Sequence, residues 1–196
     1  MVGRRVGVFG GTFDPPHIGH LVTAIDVQQA LHLDTVLMVV ANVPWQKQGS
    51  RPISAAADRL DMVRAAVDAV DRVEASDLEI RRGGSSYSVD TLVELRDADP
   101  DGERFLILGS DAAALLHTWE RSEELPGLCR IVVVDRPGGT TVVPEGFSVD
   151  RIRVPRLEVS STDLRNRAAD GRSLRFMVPD AVISLLLERR LYGDRP

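Results

Sequence analysis

Short apolar runs alternate with helical patterns along the whole chain. Four runs, at residues 6–10, 36–41, 105–108 and 131–134, have the length and composition of buried strands. Continuous apolar runs of this kind are typical of a parallel sheet that is covered on both faces. A shorter strand is predicted at residues 152–154.

Helical patterns separate these strands. Apolar residues recur at the spacing of one helical face, after a predicted cap at Ser54, at positions Leu60, Val63, Val67 and Val70. Further helices are predicted over residues 19–31, 88–96 and 179–190. This alternation predicts right-handed βαβ units in an α/β fold, with a doubly wound, mostly parallel sheet and helices on both faces. In such a fold the ligand crevice lies at the carboxyl ends of the strands.

Composition limits the classes of function. The 196 residues are 43% hydrophobic and 27% charged, which fits one globular domain. A net charge of -5 disfavours general nucleic-acid binding. The single cysteine, Cys129, can form neither an internal disulfide nor a cysteine zinc cage. No apolar run has the length of a membrane span and no signal peptide is recognisable, so we expect a cytoplasmic protein without a membrane partner. The sequence is compatible with a homo-oligomer but does not determine the oligomeric state.

The segment after the first predicted strand, GGTFDPPHIGH at residues 10–20, carries the strongest chemical signal. Its two glycines allow the backbone to approach a ligand closely. His17 and His20 are three residues apart at a helix start, so both rings can face one spot, with Gly19 leaving space above it. Together with the free N–H groups of the helix, they favour a triphosphate site. The alternatives are two structural histidines or two metal ligands, although no third zinc ligand is evident.

Other phosphate-binding patterns are absent from the sequence. There is no G-x-x-x-x-G-K-[ST] motif, which disfavours a Walker-type NTPase. No G-x-G-x-x-G follows the first strand, which disfavours a nicotinamide dehydrogenase. The segment VSSTDLR at residues 159–165 does have the features of a capped helix start, with an arginine one turn further on. It can hold the β- and γ-phosphates as pyrophosphate leaves, or it can be an ordinary helix cap.

These two motifs resemble the signatures of the nucleotidyltransferase superfamily with the H-x-G-H motif, shared in part with class I aminoacyl-tRNA synthetases. The second motif is similar to its I-S-S-T-x-I-R segment. The chain is too short to add the tRNA-binding part of a synthetase. Residues 42–47, 85–91 and 109–111, together with Trp119, make the chain similar to the bacterial nicotinate-nucleotide adenylyltransferases, from residue 6 to about residue 190.

The resemblance implies one Rossmann-like nucleotidyltransferase domain over residues 1–196, in which residues from about 156 to 196 form a small helical subdomain carrying the second motif. It also implies transfer of the adenylyl group of ATP to nicotinate mononucleotide, giving nicotinate adenine dinucleotide and pyrophosphate in NAD biosynthesis. The attack is direct, without a covalent enzyme intermediate. Mg²⁺ would bridge the phosphates, and no protein metal ligands are predicted.

The predicted site follows from both motifs and the middle segments. The catalytic residues are His17 and His20. The residues expected to bind ATP are Gly10, Gly11, Thr12, Phe13, His17, His20, Gly109, Asp111, Ser161, Thr162 and Arg165. The residues expected to bind nicotinate mononucleotide are Asn42, Lys47, Ser86, Tyr87, Ser88, Trp119 and Arg136.

Some of these assignments have a physical basis beyond the resemblance. Trp119 can stack on the flat nicotinate ring, or it can be a packing residue under a surface helix. The helix start near residues 86–88 offers N–H donors that favour a carboxylate over a carboxamide, unless it is an ordinary cap. Lys47, the single lysine, can hold a phosphate as a point charge or be a solvated loop residue. In the family, Asp111 corresponds to a position near the ribose and Arg136 to one near the phosphates.

The sequence departs from the family at Trp45 and Gln46, where family members often carry a histidine before the basic residue. Trp45 is expected at most to cover the pocket. His32 and His117 match no catalytic motif and are expected to be structural or surface residues. Phosphopantetheine adenylyltransferase is the nearest rival, but it usually has threonine in place of the first histidine and a shorter chain. A cytidylyltransferase is less favoured, and a non-catalytic nucleotide sensor would be expected to have lost one of the motifs.

Overall fold

The computed structural model describes residues 3–44, 53–135 and 142–193. Its strands form one sheet in the order β3-β2-β1-β4-β5-β6, with every neighbouring pair parallel. This is the order of a doubly wound α/β fold, so the predicted fold class is confirmed. The strands are β1 (Arg5–Gly11), β2 (Thr35–Val40), β3 (Val73–Ser76), β4 (Glu103–Gly109), β5 (Arg130–Asp135) and β6 (Val149–Arg153).

Helices connect the strands and cover both faces of the sheet. The α-helices are α1 (Ile18–Ala30), α2 (Ala56–Val67), α3 (Leu78–Arg82), α4 (Ser88–Ala98), α5 (Ser110–Ala114), α6 (Leu125–Leu128), α7 (Ser161–Ala169) and α8 (Asp180–Glu188). Two short 3-10 turns lie at Leu116–Thr118 and Ser122–Glu124. In the described part of the chain, no helix is both long and apolar enough to cross a membrane.

The apolar face predicted for α2 is confirmed, but its cap is not. Leu60, Val63 and Val67 are buried in the core. The predicted cap at Ser54 is wrong, because Ala55 occupies the N-cap position and α2 begins at Ala56 without a side-chain cap. The backbone carbonyl of Ser54 instead accepts a hydrogen bond from the Arg59 side chain.

Successive residues of the central strands pack into two different cores. In β4, Phe105 and Ile107 belong to one apolar cluster, and Leu106 and Leu108 belong to the cluster on the opposite face. Because side chains alternate across a strand, such a run is buried on both faces only when helices cover both. This explains why the central strands are continuous apolar runs in the sequence.

The region after β6 is helical. Helices α7 and α8 form a third apolar cluster with α2, in which Met62 and Ala66 contact Leu164, Val182 and other buried residues. Helix α2 thus packs against the sheet on one side and against α7 and α8 on the other. The division of the chain into a main domain and a small helical subdomain stays a prediction.

The chain changes direction across the sheet between β1 and β4. From β1 the chain winds outward through β2 and β3, and it then returns to add β4 on the other side of β1. The carboxyl ends of β1 and β4 therefore diverge into connections on opposite sides, which leaves a crevice between them. Gly10 and Gly109, two of the predicted site residues, lie at these two strand ends.

Candidate active site

The loop that follows β1 is polar in sequence but buried in the structure. Thr12, Asp14 and His17 are only 8%, 1% and 6% exposed. Phe13 adopts a φ of 50°, a left-handed conformation that is uncommon for a bulky residue, and its side chain is buried. The loop thus folds back on the end of β1 before it delivers His17 to the start of α1.

The two glycines at the end of β1 have different roles. A Cβ atom at Gly10 would meet no other atom within 4 Å, so this position is open to a ligand. A Cβ atom at Gly11 would lie 2.7 Å from the Phe13 ring. Gly10 therefore fits the predicted close approach to a ligand, whereas Gly11 is required for the packing of Phe13.

His17 and His20 stack on each other at the start of α1. Their ring centroids are 3.7 Å apart and their planes differ by 23°, as their spacing in the sequence predicts. The backbone N–H of His17 donates to Nδ1 of His20 over 3.2 Å, so a neutral His20 carries its proton on Nε2. The ring of Phe13 meets His20 edge-on at 5.0 Å. His20 is thereby held as a donor through Nε2.

The second motif is joined directly to the first. The hydroxyl of Ser161 donates to the carbonyl oxygen of Pro15 over 2.8 Å. The guanidinium of Arg165 donates to the carbonyl oxygen of Asp14 over 2.7 Å and to the hydroxyl of Thr162. The structure therefore brings together two segments that are separated by about 146 positions in the chain.

Helices α1 and α7 begin side by side. Ser160 caps α7, and its hydroxyl oxygen accepts the backbone N–H of Asp163. A Cβ atom at Gly19 would lie 3.1 Å from the His17 ring and 3.1 Å from Val159 Cγ1. The prediction that Gly19 leaves open space above the histidines is therefore wrong, since His17 and Val159 occupy that position. The glycine instead allows the two helix starts to approach each other.

The C-terminal segment also contacts the first loop. The hydroxyl of Tyr192, near the end of the described chain, donates to a carboxylate oxygen of Asp14. Burial and the neighbouring Asp14 carboxylate raise the pKa of Tyr192, so its hydroxyl keeps its proton. Tyr192 also lies against Met62 of α2. Asp14 is thus held between its own loop, α7 and the residues after α8.

A fully buried arginine joins the ends of β1 and β2. Arg59 of α2 is 1% exposed. Backbone carbonyl groups accept its hydrogen bonds at Thr12, Ala41, Asn42 and Ser54. Sequence reasoning missed this residue, because an arginine on an amphipathic helix is usually solvent-exposed.

A pocket lies at the crevice between β1 and β4. Seven of the predicted site residues line it, namely Gly10, Gly11, Thr12, Ser86, Ser88, Gly109 and Trp119. His17 and His20 do not line this pocket, but Phe9 lines it and lies 6.2 Å from the His20 ring, measured between centroids. The histidine pair therefore adjoins one side of the pocket and Trp119 lines its wall.

Trp119 has a polar atom without a partner inside this pocket wall. Its Nε1 is buried and has no hydrogen-bond partner among the described residues. The rest of the side chain is half-buried and packs against the apolar cluster on one face of the sheet. Trp119 therefore packs against the core and also lines the pocket. The prediction that it is a packing residue and the prediction that it stacks on a ligand do not exclude each other.

The start of α4 is tied to the end of β2. The backbone N–H of Asn42 donates to the Ser86 hydroxyl over 2.8 Å, and the Asn42 side chain donates to the carbonyl oxygen of Gly84. The backbone N–H of Ser86 donates to the carbonyl oxygen of Val43. Tyr87 occupies the N-cap position of α4, and its side chain packs against the core. Asn42 and Ser86 therefore have clear structural roles beside the pocket.

A buried carboxylate that sequence reasoning missed also lines the pocket. Glu79 of α3 is 5% exposed and accepts a hydrogen bond from the Thr91 hydroxyl over 2.9 Å. Burial is the main cause that raises the pKa of Glu79, while hydrogen bonds from Ser86 and Thr91 act in the opposite direction. A glutamate in a short polar helix gives no sign in the sequence that it will be buried.

Known proteins with similar sequences also catalyse nucleotidyl transfer according to their names. The sequence profile of the cytidylyltransferase-like family matches residues 8–167. A probable nicotinate-nucleotide adenylyltransferase from Exiguobacterium sibiricum is 43% identical over 189 residues, covering 96% of this chain and 99% of the relative. One from Streptomyces coelicolor is 44% identical over 186 residues, covering 93% and 98%. The chain belongs to the nicotinate-nucleotide adenylyltransferase family.

Solved structures of nicotinate-nucleotide adenylyltransferases have the same fold. The nicotinic acid mononucleotide adenylyltransferase of Plasmodium falciparum, solved in complex with NaAD, superposes with a TM-score of 0.79 at 16% identity, covering 96% of this chain and 97% of that one. A putative nicotinate-nucleotide adenylyltransferase from Vibrio parahaemolyticus gives a TM-score of 0.70 at 20% identity, covering 96% and 95%. At sequence identities of 16% and 20%, these two structures show that the fold is shared.

Of the remaining predicted residues of this nicotinate-nucleotide adenylyltransferase family member, Asp111 is described by the structure and does not line the pocket. Asp111 is exposed in the first turn of α5, directly after the end of β4. Lys47 and Arg136 lie outside the described residues, as do Trp45 and Gln46. His32 and His117 are exposed, which agrees with their expected surface position.

Proposed function

We propose that this protein transfers the adenylyl group of ATP to nicotinate mononucleotide, giving nicotinate adenine dinucleotide and pyrophosphate in NAD biosynthesis. One observation carries the proposal beyond family membership. The stacked histidines and the start of α7 meet on one buried loop at the crevice of the sheet. This constellation suits a nucleotide whose phosphates lie across two helix starts. We also propose a cytoplasmic location and small-molecule substrates only.

We assign the ATP side of the site to the ends of β1 and β4. Gly10 gives the nucleotide close access to the backbone, and Asp111 is placed to reach the ribose at the end of β4. His17 and His20 lie nearest the α-phosphate, with Nε2–H of His20 as a donor. The other residues of this group are Gly11, Thr12, Phe13 and Gly109.

The pyrophosphate end of ATP is assigned to the start of α7. The Ser161 hydroxyl already donates to Pro15, and the Arg165 guanidinium already bonds the backbone of Asp14. The backbone N–H groups at residues 161 and 162 are therefore the main donors to the leaving pyrophosphate, with Thr162 beside them. Arg165 adds positive charge and keeps α7 in place.

The reaction is an in-line displacement. An oxygen of the mononucleotide 5′-phosphate forms a bond to the α-phosphorus of ATP, and the bond from that phosphorus to the bridging oxygen of pyrophosphate breaks. The departing oxygen keeps the electron pair. The attacking phosphate is already ionised, so no protein nucleophile is needed. The protein contributes positioning and hydrogen bonds to the charged phosphoryl oxygens.

The acid substrate is assigned to the pocket wall between α4 and Trp119. The Trp119 indole stacks on the nicotinate ring, and the N–H groups at the start of α4 near Ser88 receive its carboxylate. Tyr87 and Ser86 shape this helix start, and Asn42 fixes it to β2. Lys47 and Arg136 are proposed to hold the phosphate of the mononucleotide.

Adenylyl transfer from ATP generally uses a divalent cation, which we propose to be Mg²⁺ bound to the phosphates of ATP as part of the substrate. In the described part of the chain, no group of three His, Cys, Asp or Glu side chains is placed to hold a metal ion. A Mg²⁺ ion bound to substrate phosphates keeps most of its waters and needs few protein ligands.

A substrate panel tests the proposal. With ATP and Mg²⁺ held constant, pyrophosphate release is measured with nicotinate mononucleotide, its amide analogue, phosphopantetheine and flavin mononucleotide. We expect fast release with the acid and much slower release with the others. Release only with phosphopantetheine would identify the rival adenylyltransferase. Binding of ATP and the acid without release would instead identify a nucleotide sensor.

A further inference from the structure

Two parts of the pocket wall come from elements that are separate in the chain. Ser88, the first residue of α4, contributes to one part, and Trp119, between the two 3-10 turns, contributes to another. Apart from the buried Leu116 and the half-buried Trp119, residues 115–121 are exposed. The position of the indole relative to α4 therefore depends on few packing contacts.

Arg121 joins the segment that carries Trp119 to the start of α4. Its guanidinium donates to a carboxylate oxygen of Asp90, in the first turn of α4, over 2.8 Å. The same guanidinium donates to both carboxylate oxygens of Glu124, in its own turn, over 2.7 and 2.8 Å. Among the described residues, no other side chain of residues 115–121 forms a hydrogen bond to a different element.

The backbone around Arg121 connects its ion pair to the indole. Arg121 has a φ of 50° and a ψ of 40°, a left-handed conformation that is uncommon for a residue with a Cβ atom. The backbone N–H of Ser122 donates to the carbonyl oxygen of Trp119 over 3.3 Å, and that of Glu124 donates to the carbonyl oxygen of Arg121 over 3.1 Å. Trp119 and Arg121 thus belong to one hydrogen-bonded turn, so the contact with Asp90 fixes where this turn lies relative to α4.

We propose that Arg121 is a positioning residue for the mononucleotide, acting through Asp90 to hold the turn of Trp119 against the start of α4. This inference rests on the proposed function, in which the nicotinate ring stacks on Trp119 and its carboxylate meets the start of α4. The separation of these two parts of the wall then determines whether both contacts form at once. The pair with Glu124 lies within one turn and does not set this separation.

Steady-state kinetics of Arg121→Met and Asp90→Asn tests the proposal. The side chains of Arg121 and Asp90 are 41% and 33% exposed, so the effect of losing their ion pair is modest. For each variant we expect the KM for nicotinate mononucleotide to rise about three- to fivefold. The KM for ATP and kcat should stay within about 1.5-fold, because the phosphate-binding loops are not touched.

Glu124→Gln is the matched control. It removes the other carboxylate that accepts from the Arg121 guanidinium and leaves the contact with Asp90 in place. All three kinetic constants should therefore stay close to those of the wild type. A rise in the KM for the mononucleotide equal to that of Arg121→Met would overturn the proposal, because it would show that the bonds within the turn are the ones that matter.

A double-mutant cycle tests whether Arg121 acts through Asp90. The variant with both Arg121→Met and Asp90→Asn should have the same KM for the mononucleotide as either single variant. Multiplying effects would overturn the proposal, and so would an unchanged KM in Arg121→Met. A lower KM in Asp90→Asn would also overturn it, since the charge of Asp90 would then act by repelling the acid. If Arg121→Met does not fold, Asp90→Asn and its control decide alone. A wild-type protein that releases no pyrophosphate with nicotinate mononucleotide would refute the proposed function itself.

Discussion

At the scale of single residues, His20 has the clearest chemical assignment. Its Nδ1 accepts the backbone N–H of His17, so a neutral His20 carries its proton on Nε2, the donor that we propose for a phosphate oxygen. We expect His20→Ala to lower kcat by about 10²–10³-fold, the cost of losing one donor to a charged transition state. Steady-state kinetics checks this. His32→Ala, at an exposed position, is the control, and near-normal turnover of the His20 variant would contradict the assignment.

The raised pKa of Glu79 gives a pH dependence of stability. Because burial raises the pKa above its ordinary value of 4.5, the folded state holds this proton more tightly than the unfolded state. The stability from this group is therefore fully present below about pH 4.5 and is lost as the pH rises through the folded pKa. Relative to the wild type, Glu79→Gln should therefore gain stability over the interval from about pH 4.5 up through the raised pKa of Glu79 in the folded state.

Urea unfolding at several pH values measures this difference. The free energy of unfolding of Glu79→Gln minus that of the wild type should increase with pH over the stated interval. A difference that stays constant or falls would show that the Glu79 carboxylate is not penalised by burial. Glu94→Gln, at a largely exposed carboxylate, should show little change over the same interval.

At the scale of elements, the contact between Tyr192 and Asp14 joins the C-terminal helical region to the loop after β1. Tyr192→Phe removes the donor while keeping the ring. The buried Asp14 then loses one hydrogen bond, so we expect a loss of about 1–3 kcal/mol in the free energy of unfolding. Ser184→Ala, which removes an exposed hydroxyl on α8, should change it by less than about 0.5 kcal/mol.

Thermal unfolding of both variants checks this expectation. For a chain of this size, each kcal/mol corresponds to about 2–4 °C in Tm. Equal Tm values for Tyr192→Phe and the wild type would show that the hydroxyl contributes nothing to the fold.

The elements that the sequence predicts are those with a strong apolar pattern. The strands at residues 36–40, 105–108 and 131–134 are buried on both faces, and their runs of Val, Leu and Ile reflect this. β3 was missed because Val73–Ser76 is a short edge strand with an exposed glutamate and no apolar run. α3 was missed because its five residues are too few to show a helical period.

In the site, too, local patterns in the sequence predict some contacts, whereas contacts between distant elements are not predicted. His17 and His20 are local neighbours, so helical spacing is enough to bring their rings together. The contact of Ser161 and Arg165 with the first loop required the resemblance to a known family, since no local pattern relates residues so far apart. Glu79 and Arg59 could not be predicted, because their burial depends on partners from other elements.

At the scale of the whole molecule, Arg59 connects the helix layer to the strand ends that form the crevice. Its guanidinium satisfies carbonyl groups of the loops after both β1 and β2. Arg59→Met keeps most of the side-chain volume but leaves these buried acceptors without their donor. We expect a loss of at least about 3 kcal/mol in the free energy of unfolding, measured by urea denaturation. The exposed Arg172→Met is the control, and equal midpoints for the two variants would contradict this role.

The bonds from Ser161, Arg165 and Tyr192 to Asp14 and Pro15 also bear on synthesis of the protein. These bonds span 146 to 178 positions of the chain. On the ribosome, the first strand and its histidines emerge long before the residues that brace them. The loop after β1 therefore acquires these contacts only after residues 161–192 have left the exit tunnel, and a chain that stops before residue 161 carries His17 and His20 without α7.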